Sequence, residues 1–298
     1  MRTYAANKVK GSVLPLRGKL DLVMWTKNGA ETLPLVLARI AQVVPETIVN
    51  KRIMVDDRSS DNTCDIARSF GWAVIFNEGQ GISDGANTAL RQVETEYFIS
   101  FEQDLLLAPD WWQKVPAHLS DARAAVASGV RFSYYPPALK KLQEFTAKNY
   151  KVEDQEGKFF PYVKTLDNTI YKTSIIRQIG GFPKLSISAG VDHVLAQRVY
   201  TAGYGWKVDY AVHSVHLRSG LKDELDHTYW YGGCADALEA SLFKKPAQTR
   251  ALMLRFLFSP VRGLLIALKT LAPEAIYIYP LLRLAFLRGV LDTRKKSA

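Results

Sequence analysis

The fold of this chain is indicated most directly by one stretch, Ile53-Met54-Val55-Asp56-Asp57-Arg58-Ser59-Ser60-Asp61-Asn62-Thr63. The stretch begins as an apolar run, continues with two adjacent carboxylates and a polar turn, and ends where a helix is expected. Adjacent acidic residues are poor strand formers and usually stand at the end of a strand. Because α/β sheets bind ligands at the carboxyl ends of their strands, Asp56 and Asp57 are predicted to face a ligand.

On both sides of this stretch, short apolar segments alternate with segments of helical periodicity. The predicted strands are Leu20–Thr26, Arg52–Val55, Trp72–Phe76, Tyr97–Phe101 and Ala124–Val130. The predicted helices between them are Glu31–Val43, Asp61–Phe70, Ser83–Val93 and Pro109–Leu119. Repeated units of this kind predict an α/β fold with a mostly parallel sheet and helices on both faces.

Beyond residue 130 the pattern is less regular. Residues 131–164 are rich in Tyr, Phe, Pro and Lys, and we expect a long loop or a helical insertion. Its aromatic residues could offer stacking surfaces for a ligand or form a small core of their own. The later predicted elements are a strand at Thr165–Tyr171, a helix ending at Ile179, a helix at Gly190–Gly203, a strand at Trp206–His216 and a helix at Asp223–Leu242.

The net charge of +10 is concentrated at the two ends of the 298-residue chain. Residues 1–20 carry +5 and residues 244–298 carry +9, so residues 21–243 carry −4. Nucleic-acid binding would place basic residues on a folded domain or in a recognisable module, and none is evident, so no nucleic-acid partner is expected. Basic ends beside apolar segments indicate an anionic membrane surface instead.

Three acidic sites fall at the ends of predicted elements. Asp56 and Asp57 follow the second strand, Glu102 and Asp104 follow the fourth, and Asp192 opens a helix. Two carboxylates separated by one residue suit a hard divalent cation such as Mg²⁺ or Mn²⁺. An acid at the start of a helix can serve as a general base. Each site also has a structural alternative, as a turn former, a solvated loop or an acid favoured by the helix dipole.

The order of these motifs resembles that of the family 2 glycosyltransferases, which have a GT-A fold, over about residues 20–220. The matching segments are Thr26–Leu33, Val55–Thr63, Asn77–Gly81 with Ala86–Asn87, Glu102–Asp104, Gly180–Pro183 with Asn168 before it, and Gly190–Arg198. The chain departs from the family at two positions. Glu102 stands where Asp is usual in the metal motif, and Val191 stands where an acid commonly precedes the base.

The resemblance implies a role for each matching position. Nucleotide contacts are implied for Thr26, Asn28, Glu31, Asp56, Asp57, Asn77, Gly81 and Asn87. Contacts with the donor or acceptor sugar are implied for Glu102, Gln103, Asn168 and Gly190. Asp104 and Glu102, with His216 as a further candidate, would bind Mn²⁺ or Mg²⁺, and Asp192 would be the catalytic base.

The implied reaction is the inverting transfer of a hexose, expected to be mannose or glucose, from a GDP- or UDP-linked donor. Because a base segment is present, we expect a hydroxyl acceptor such as a sugar on a lipid-linked glycan. The alternatives are a polyprenyl-phosphate glycosyltransferase, a sugar nucleotidylyltransferase and a non-catalytic membrane module that binds sugar nucleotides. A nucleotidylyltransferase would need a glycine-rich, basic phosphate loop near the first strand, which Thr26–Thr32 does not supply.

Residues 248–291 differ from the rest of the chain in having a broad apolar face. Arg255, Arg262 and Lys269 recur every seven residues and form a narrow basic stripe. Three prolines divide the segment, and no charge-free run approaches the roughly 18–20 apolar residues that a spanning helix needs. The segment is therefore predicted to form interfacial amphipathic helices, peripheral or monotopic on a membrane. The alternative is a helical pair packed on the catalytic domain or on a dimer partner.

These observations divide the chain into a basic N-terminal segment at 1–19, a GT-A catalytic domain at 20–222 and a C-terminal helical region at 223–298. Cys64 and Cys234 lie far apart with no metal-binding spacing, which fits a reducing compartment. The first segment also lacks an apolar core long enough for a signal peptide. We therefore expect the protein at the cytoplasmic face of a membrane.

Overall fold

The structure is a computed structural model that describes residues 18–149, 151–153, 159–161, 165–185, 189–243 and 248–297. The predicted basic segment at 1–19 lies outside the described residues apart from its last two positions. Of the aromatic residues noted at 131–164, Tyr150 and Tyr162 also lie outside them.

The elements follow one another along the chain in close agreement with the predicted alternation. The strands are β1 Leu20–Thr26, β2 Val49–Asp56, β3 Ala73–Phe76, β4 Tyr97–Phe101, β5 Leu105–Leu106, β6 Ala124–Tyr135, β7 Lys151–Glu153, β8 Phe159–Pro161, β9 Thr169–Lys172 and β10 Gly205–Ser219. The α-helices are α1 Leu33–Val43, α2 Thr63–Ser69, α3 Gly81–Gln92, α4 Trp111–Lys114, α5 Pro137–Asn149, α6 Thr173–Gln178, α7 Val191–Thr201, α8 Gly220–Phe243, α9 Thr249–Leu257, α10 Ser259–Thr270 and α11 Ala275–Ser297. Short 3₁₀ turns occupy Glu46–Ile48 and Pro116–Ser120.

Eight strands form one mixed sheet in the order β3-β2-β1-β4-β9-β6-β10-β5. The pairs β1–β2, β1–β4, β2–β3 and β6–β10 are parallel. Strand β9 runs antiparallel between β4 and β6, and β5 runs antiparallel beside β10. Six strands therefore point the same way, and the predicted α/β fold with a mostly parallel, helix-flanked sheet is confirmed.

The sheet has a buried apolar layer on each face, as the alternation of side chains along β1 shows. Leu22 and Met24 pack with α1 on one face. Val23 and Trp25 pack with α3, α6 and α7 on the other. Because successive side chains of a strand point to opposite faces, an uninterrupted apolar strand of this kind requires cover on both sides.

Two parts of the chain differ from the prediction. The helix predicted at Pro109–Leu119 is divided, because Pro116 has no N–H and its ring cannot continue an α-helix. Residues 131–164, predicted as a loop or a helical insertion, extend β6 to Tyr135 and then form α5 and the β7–β8 pair. Strand β6 continues because β10 pairs with it as far as Ser219, and a local sequence pattern does not reveal such a partner.

The C-terminal helices pack on one another and on α5. Ile266 of α10 and Ile278 of α11 share a buried cluster with Leu139 and Leu142, and Phe145 packs against it. Phe145, an aromatic residue of the segment 131–164, thus packs against this core.

Helices α8 and α11 cross so closely that glycine is required on both. A Cβ at Gly232 would lie 2.1 Å from the carbonyl oxygen of Phe286, and one at Gly289 would lie 2.0 Å from that of Tyr229. Real side chains do not approach backbone atoms this closely, so the missing side chains allow the two backbones to touch. The contact makes α8 and α11 one rigid pair.

A continuous apolar surface remains uncovered on α9, α10 and the start of α11. Its exposed residues are Met253, Leu254, Leu257, Phe258, Val261, Leu264, Leu265, Leu268, Leu271, Ile276, Tyr277 and Leu281. Among the described helices, none by itself has both the length and the apolar composition to cross a bilayer. Helices α9 and α10 meet the test as a pair, with a bend of 52° at their junction.

Candidate active site

A cleft of about 420 Å³ opens where β1, β2 and β4 end, beside Arg131 of β6. Its lining comprises Trp25, Thr26, Lys27, Val55, Asp57, Asn77, Gly81, Ile82, Glu102, Gln103, Asp104, Arg131, Leu166, Gly190, Val191, Asp192, His227, Trp230 and Tyr231. Nine residues predicted for the site lie in this lining: Thr26, Asp57, Asn77, Gly81, Glu102, Gln103, Asp104, Gly190 and Asp192. One cavity therefore collects acids that are far apart in the sequence.

At one end of the cleft, Asp57 is held in place by its neighbours. Its Oδ2 accepts the Gly81 N–H at 3.1 Å, and its Oδ1 accepts a hydrogen bond from Asn77 Nδ2 at 3.3 Å. Lys27 Nζ lies 3.8 Å from the same carboxylate. The carboxylate thereby joins the turn after β2 to the start of α3, where glycine backbone and the helix N-terminus leave room for a polar ligand.

Gln103 fixes the loop after β4 against the end of β1. Its Oε1 accepts the Lys27 N–H at 2.9 Å and the Thr26 hydroxyl, and its Nε2 donates to the Lys27 carbonyl at 3.0 Å. A Cβ at Gly29 would lie 2.8 Å from the Gln103 side chain, so this loop also depends on a small residue. Gln103 therefore ties the segment that carries Glu102 and Asp104 to the end of β1.

Glu102, Asp104 and His216 form a cluster whose ligand atoms all lie within 4.8 Å of one another. His216 Nε2 lies 3.3 Å from Asp104 Oδ2. The antiparallel pairing of β10 with β5 creates this approach, because it aligns His216 with Leu105, the residue after Asp104. Two carboxylates and an imidazole are donors that could together hold a divalent cation.

Arg131 forms the centre of a charge network beside this cluster. Its Nη1 lies 3.0 Å from Glu102 Oε2 and is also paired with Asp167 Oδ2. The Asp167 side chain is fully buried, so the guanidinium is its charge partner in the interior. Asp167 and Glu102 raise the pKa of Arg131 well above its usual value, against the opposing effect of burial, and the group is charged at every working pH.

Asp192 lies in the first turn of α7 with its neighbour His193. Burial raises the pKa of Asp192 to about 6, and the positive charge of Arg131 limits the rise. Burial lowers the pKa of His193 to about 3, so its ring is neutral at pH 7. His193 Nδ1 and its backbone N–H lie 2.6 Å and 2.9 Å from Asp192 Oδ1, and a neutral ring donates through Nδ1–H to the carboxylate.

Three further predicted residues lie outside the cleft lining, and two of them, Asp56 and Asn28, hold the loops beside it. Asp56 is buried, and its Oδ2 accepts the Ser59 N–H at 3.0 Å, which closes the turn after β2. Asn28 accepts the Ser60 N–H at 2.8 Å and donates its own N–H to the Ser59 hydroxyl at 2.8 Å. Glu31 is exposed before α1. Their direct nucleotide contacts remain predictions.

Two predicted asparagines also lie outside the lining and hold backbone in place. Asn87 accepts the Phe182 N–H at 3.0 Å and donates to the Phe182 carbonyl at 2.9 Å. Asn168 is buried with a positive φ of 47°, and its side chain accepts the Gly129 N–H at 2.8 Å. Its carbonyl accepts from Trp111 Nε1 at 2.8 Å. Both residues thus hold backbone segments in place without lining the cleft themselves.

The sequence analysis missed two groups of cleft residues. Arg131 directly follows the predicted strand Ala124–Val130 but lies within β6 in the structure, and nothing local pairs it with Asp167. His227, Trp230 and Tyr231 have the i, i+3, i+4 spacing of one helix face, which identifies an aromatic surface but not what it faces.

The Arg131 network makes a testable prediction about stability. Replacing Arg131 with Met leaves the buried Asp167 without its charge partner, so the free energy of unfolding should fall by about 3–5 kcal/mol. Adding Asp167→Asn to that variant should restore part of the loss, because it removes the uncompensated charge. Urea denaturation of both variants in metal-free buffer measures the two effects.

The exposed pair between Arg91 and Glu78, 2.5 Å apart, provides a control. Arg91→Met should cost less than about 1 kcal/mol, because surface ion pairs contribute little. Equal losses in the two arginine variants, or no recovery in the double variant, would contradict the assigned role of Arg131.

Comparisons with known proteins agree with this geometry. The family model for glycosyl transferase family 2 matches residues 21–180. PcManGT, a mannosyltransferase from Pyrobaculum calidifontis solved with GDP-Man and Mn²⁺, aligns with 95% of this chain and 89% of its own, at a TM-score of 0.65 and 16% identity. S. aureus TarS (1–349) with UDP aligns over 93% and 92%, at a TM-score of 0.51 and 16% identity.

At these identities the structural matches establish a shared GT-A-type fold. No curated protein sequence gives a significant match. The family model, however, covers more than half of the chain, from the first strand through the turn at Gly180. The chain therefore belongs to glycosyl transferase family 2 and is a glycosyltransferase.

Proposed function

We propose that this glycosyltransferase moves a hexose from a nucleoside diphosphate sugar to a hydroxyl acceptor, with metal assistance and inversion of configuration. The observation that carries the proposal is that Glu102 and Asp104, which cluster with His216, line the same cleft as Asp192. A cation cluster and a buried carboxylate of raised pKa are the two components that such a transfer needs, one for the leaving group and one for the acceptor.

The donor is proposed to lie along the strand ends, with its nucleoside near Asp57 and Asn77. The nucleotide is GDP or UDP and the sugar mannose or glucose. Two proteins of the same fold support this choice of class, since PcManGT was solved with GDP-Man and TarS with UDP-GlcNAc. The carboxylate of Asp57 can accept hydrogen bonds from the N–H and O–H groups of a nucleoside.

The metal residues are proposed to be Asp104, Glu102 and His216, holding Mn²⁺ or Mg²⁺. When bound there, the ion supplies positive charge that offsets the charge developing on the leaving diphosphate. Arg131 contributes a permanent positive charge 3.0 Å from Glu102 Oε2, beside the cluster. The longer reach of Glu at position 102 makes room for this pairing.

Asp192 is proposed to take the proton of the acceptor hydroxyl as that oxygen attacks the anomeric carbon from the face opposite the diphosphate. His193 already donates to Oδ1, so Oδ2 is the oxygen that receives the proton. The neutral His193 fixes the rotamer of the base without competing for the proton. Val191, which stands where an acid is common, leaves Asp192 as the single acid in this helical turn.

The C-terminal helices are proposed to hold the enzyme on an anionic membrane at its cytoplasmic face. Helices α9 and α10 expose a wide apolar surface, with Leu257 at 68% and Leu268 at 66% exposure. Arg255, Arg262 and Lys269 can reach the headgroups from this surface. A lipid-linked glycan is therefore the proposed acceptor, because the membrane would concentrate it beside the cleft.

The first prediction concerns nucleotide and metal. Thermal shifts measured with GDP, UDP, ADP and CDP should show that GDP or UDP raises the melting temperature by several degrees in the presence of Mn²⁺, since a ligand stabilises the state that binds it. Asp104→Asn should remove the metal-dependent part of the shift, and Asp65→Asn, at an exposed position on α2, should not. A full metal-dependent shift in Asp104→Asn would refute the metal assignment.

The second prediction concerns the base. With a pKa of about 6 for Asp192, kcat/KM should be constant above pH 7 and fall about tenfold per pH unit well below pH 6, as the carboxylate becomes protonated. Asp192→Asn should lower kcat by about 10²-fold or more and leave nucleotide affinity unchanged. Full activity in Asp192→Asn would favour an acceptor that is already ionised, such as a polyprenyl phosphate.

The third prediction concerns the membrane. The protein should co-sediment with phosphatidylcholine vesicles containing phosphatidylglycerol at low salt, and less at high salt. Replacing Val261, Leu265 and Leu268 with Ser should weaken binding by about tenfold or more, because the three side chains form one exposed stripe. Serine at the exposed Leu35 and Phe76 should have little effect. Self-association that the triple variant abolishes, without vesicle binding, would instead identify a dimer interface.

A further inference from the structure

One wall of the cleft is aromatic and comes from outside the family-matched region. His227 and Trp230 of α8 are stacked, with ring centroids 5.5 Å apart and an interplanar angle of 17°. Tyr231 stands edge-on to both rings, at 4.7 Å from His227 and 5.1 Å from Trp230. Trp230 lines the cleft and keeps 38% of its surface exposed, so part of its indole can be reached by a ligand.

The register of α8 brings this cluster close to the proposed base. His227, Tyr231, Cys234 and Leu238 follow one another at helical spacing and share a face. The last two contact the residues before Asp192: the Ala189 backbone N–H donates a hydrogen bond to the Cys234 sulfur, and a Cβ at Gly190 would lie 2.3 Å from Leu238 Cδ1. On the same face of α8, Tyr231 lies about one turn before Cys234 and His227 about two turns before it.

The strand order separates this wall from the nucleoside end of the cleft. Asp57 follows β2, whereas Arg131, whose pKa the nearby Tyr231 helps to raise, lies on β6. These two strands are four positions apart in the sheet, which corresponds to about 19 Å at the usual spacing between strands. A nucleobase beside Asp57 would thus lie away from the part of the cleft where Tyr231 approaches Arg131. The aromatic wall is therefore placed near the acceptor rather than near the nucleoside of the donor.

We propose that His227, Trp230 and Tyr231 form the platform that binds the acceptor sugar. A pyranose ring presents a face of C–H groups, which suits the electron-rich face of an indole, and its hydroxyls project from the edge. A sugar stacked on Trp230 would direct an edge hydroxyl toward Asp192, the proposed base. The residues just before Asp192 pack against the same helix. This inference rests on the proposed function and adds that the acceptor is a glycan end, selected by α8.

The platform can be tested by ligand-observed saturation-transfer NMR on the full chain with Mg²⁺ and the stabilising nucleoside diphosphate. The probes are methyl glycosides of α-mannose, β-glucose, β-galactose and N-acetyl-β-glucosamine. At least one should receive saturation at its C–H face in the wild type and in Trp230→Phe. Trp230→Ala should weaken its binding by about fivefold to tenfold. Phe70→Ala is the control, because Phe70 is an equally exposed aromatic residue at the end of α2 and outside the cleft lining. This variant should bind the glycoside as the wild type does.

Nucleotide affinity, measured by calorimetry on the same variants, separates the possible outcomes. A change of less than twofold in Trp230→Ala, together with lost glycoside binding, supports the platform. Unchanged glycoside binding, the absence of any glycoside signal, or a loss confined to the nucleotide would overturn it. Failure of the wild type to bind any nucleotide would overturn the proposed function itself, so the two failures are distinguishable.

Discussion

The ion pair between Arg131 and Asp167 sets the arrangement of the whole cleft, because it places a full charge in the interior of the sheet. Asp167 has no exposed surface, and a buried carboxylate without a partner would cost several kcal/mol. The guanidinium also contacts Glu102, and its charge limits the pKa rise of Asp192. One cation thus adjusts both the proposed metal cluster and the proposed base.

The topology explains how this charge reaches its place. Strand β9 enters the sheet antiparallel between β4 and β6, so the turn before it delivers Asp167 at the edge where β4 and β6 present Glu102 and Arg131. That turn is held by its own hydrogen bonds, including the Thr169 hydroxyl to the Thr165 carbonyl at 2.7 Å. Asn168 adopts a left-handed backbone there and ties the turn to β6. These hydrogen bonds hold the turn, and with it the Asp167 carboxylate, in a fixed position.

Much of the fold was predictable because its first half uses local signals. Apolar runs, helical periodicity and polar turns identify β1 to β4 and their helices, and the acids mark the strand ends. The division of labour between Asp56 and Asp57 was not predictable, since only the structure shows that the first is buried under its own turn while the second lies in the cleft. The Arg131–Asp167 pair was not predictable from the sequence, because its members are 36 residues apart and are brought together only by the order of the strands.

The second half of the chain carries its information in helix contacts rather than in local pattern. Helix α8 begins where β10 ends, lines the cleft with aromatic rings, and then crosses α11 at Gly232 and Gly289 with the two backbones in contact. A bidentate pair, with Arg294 Nε 2.6 Å and Nη2 2.7 Å from the two Asp236 carboxylate oxygens, fixes the far end of the same crossing.

Because α11 also packs on α10, which bears the exposed apolar surface, the position of that surface relative to the cleft is set through rigid helices. A membrane bound by α9 and α10 would therefore hold α8, and the wall beside Asp192, at a constant height and angle. That geometry favours an acceptor whose reactive sugar stands at a fixed distance from the bilayer.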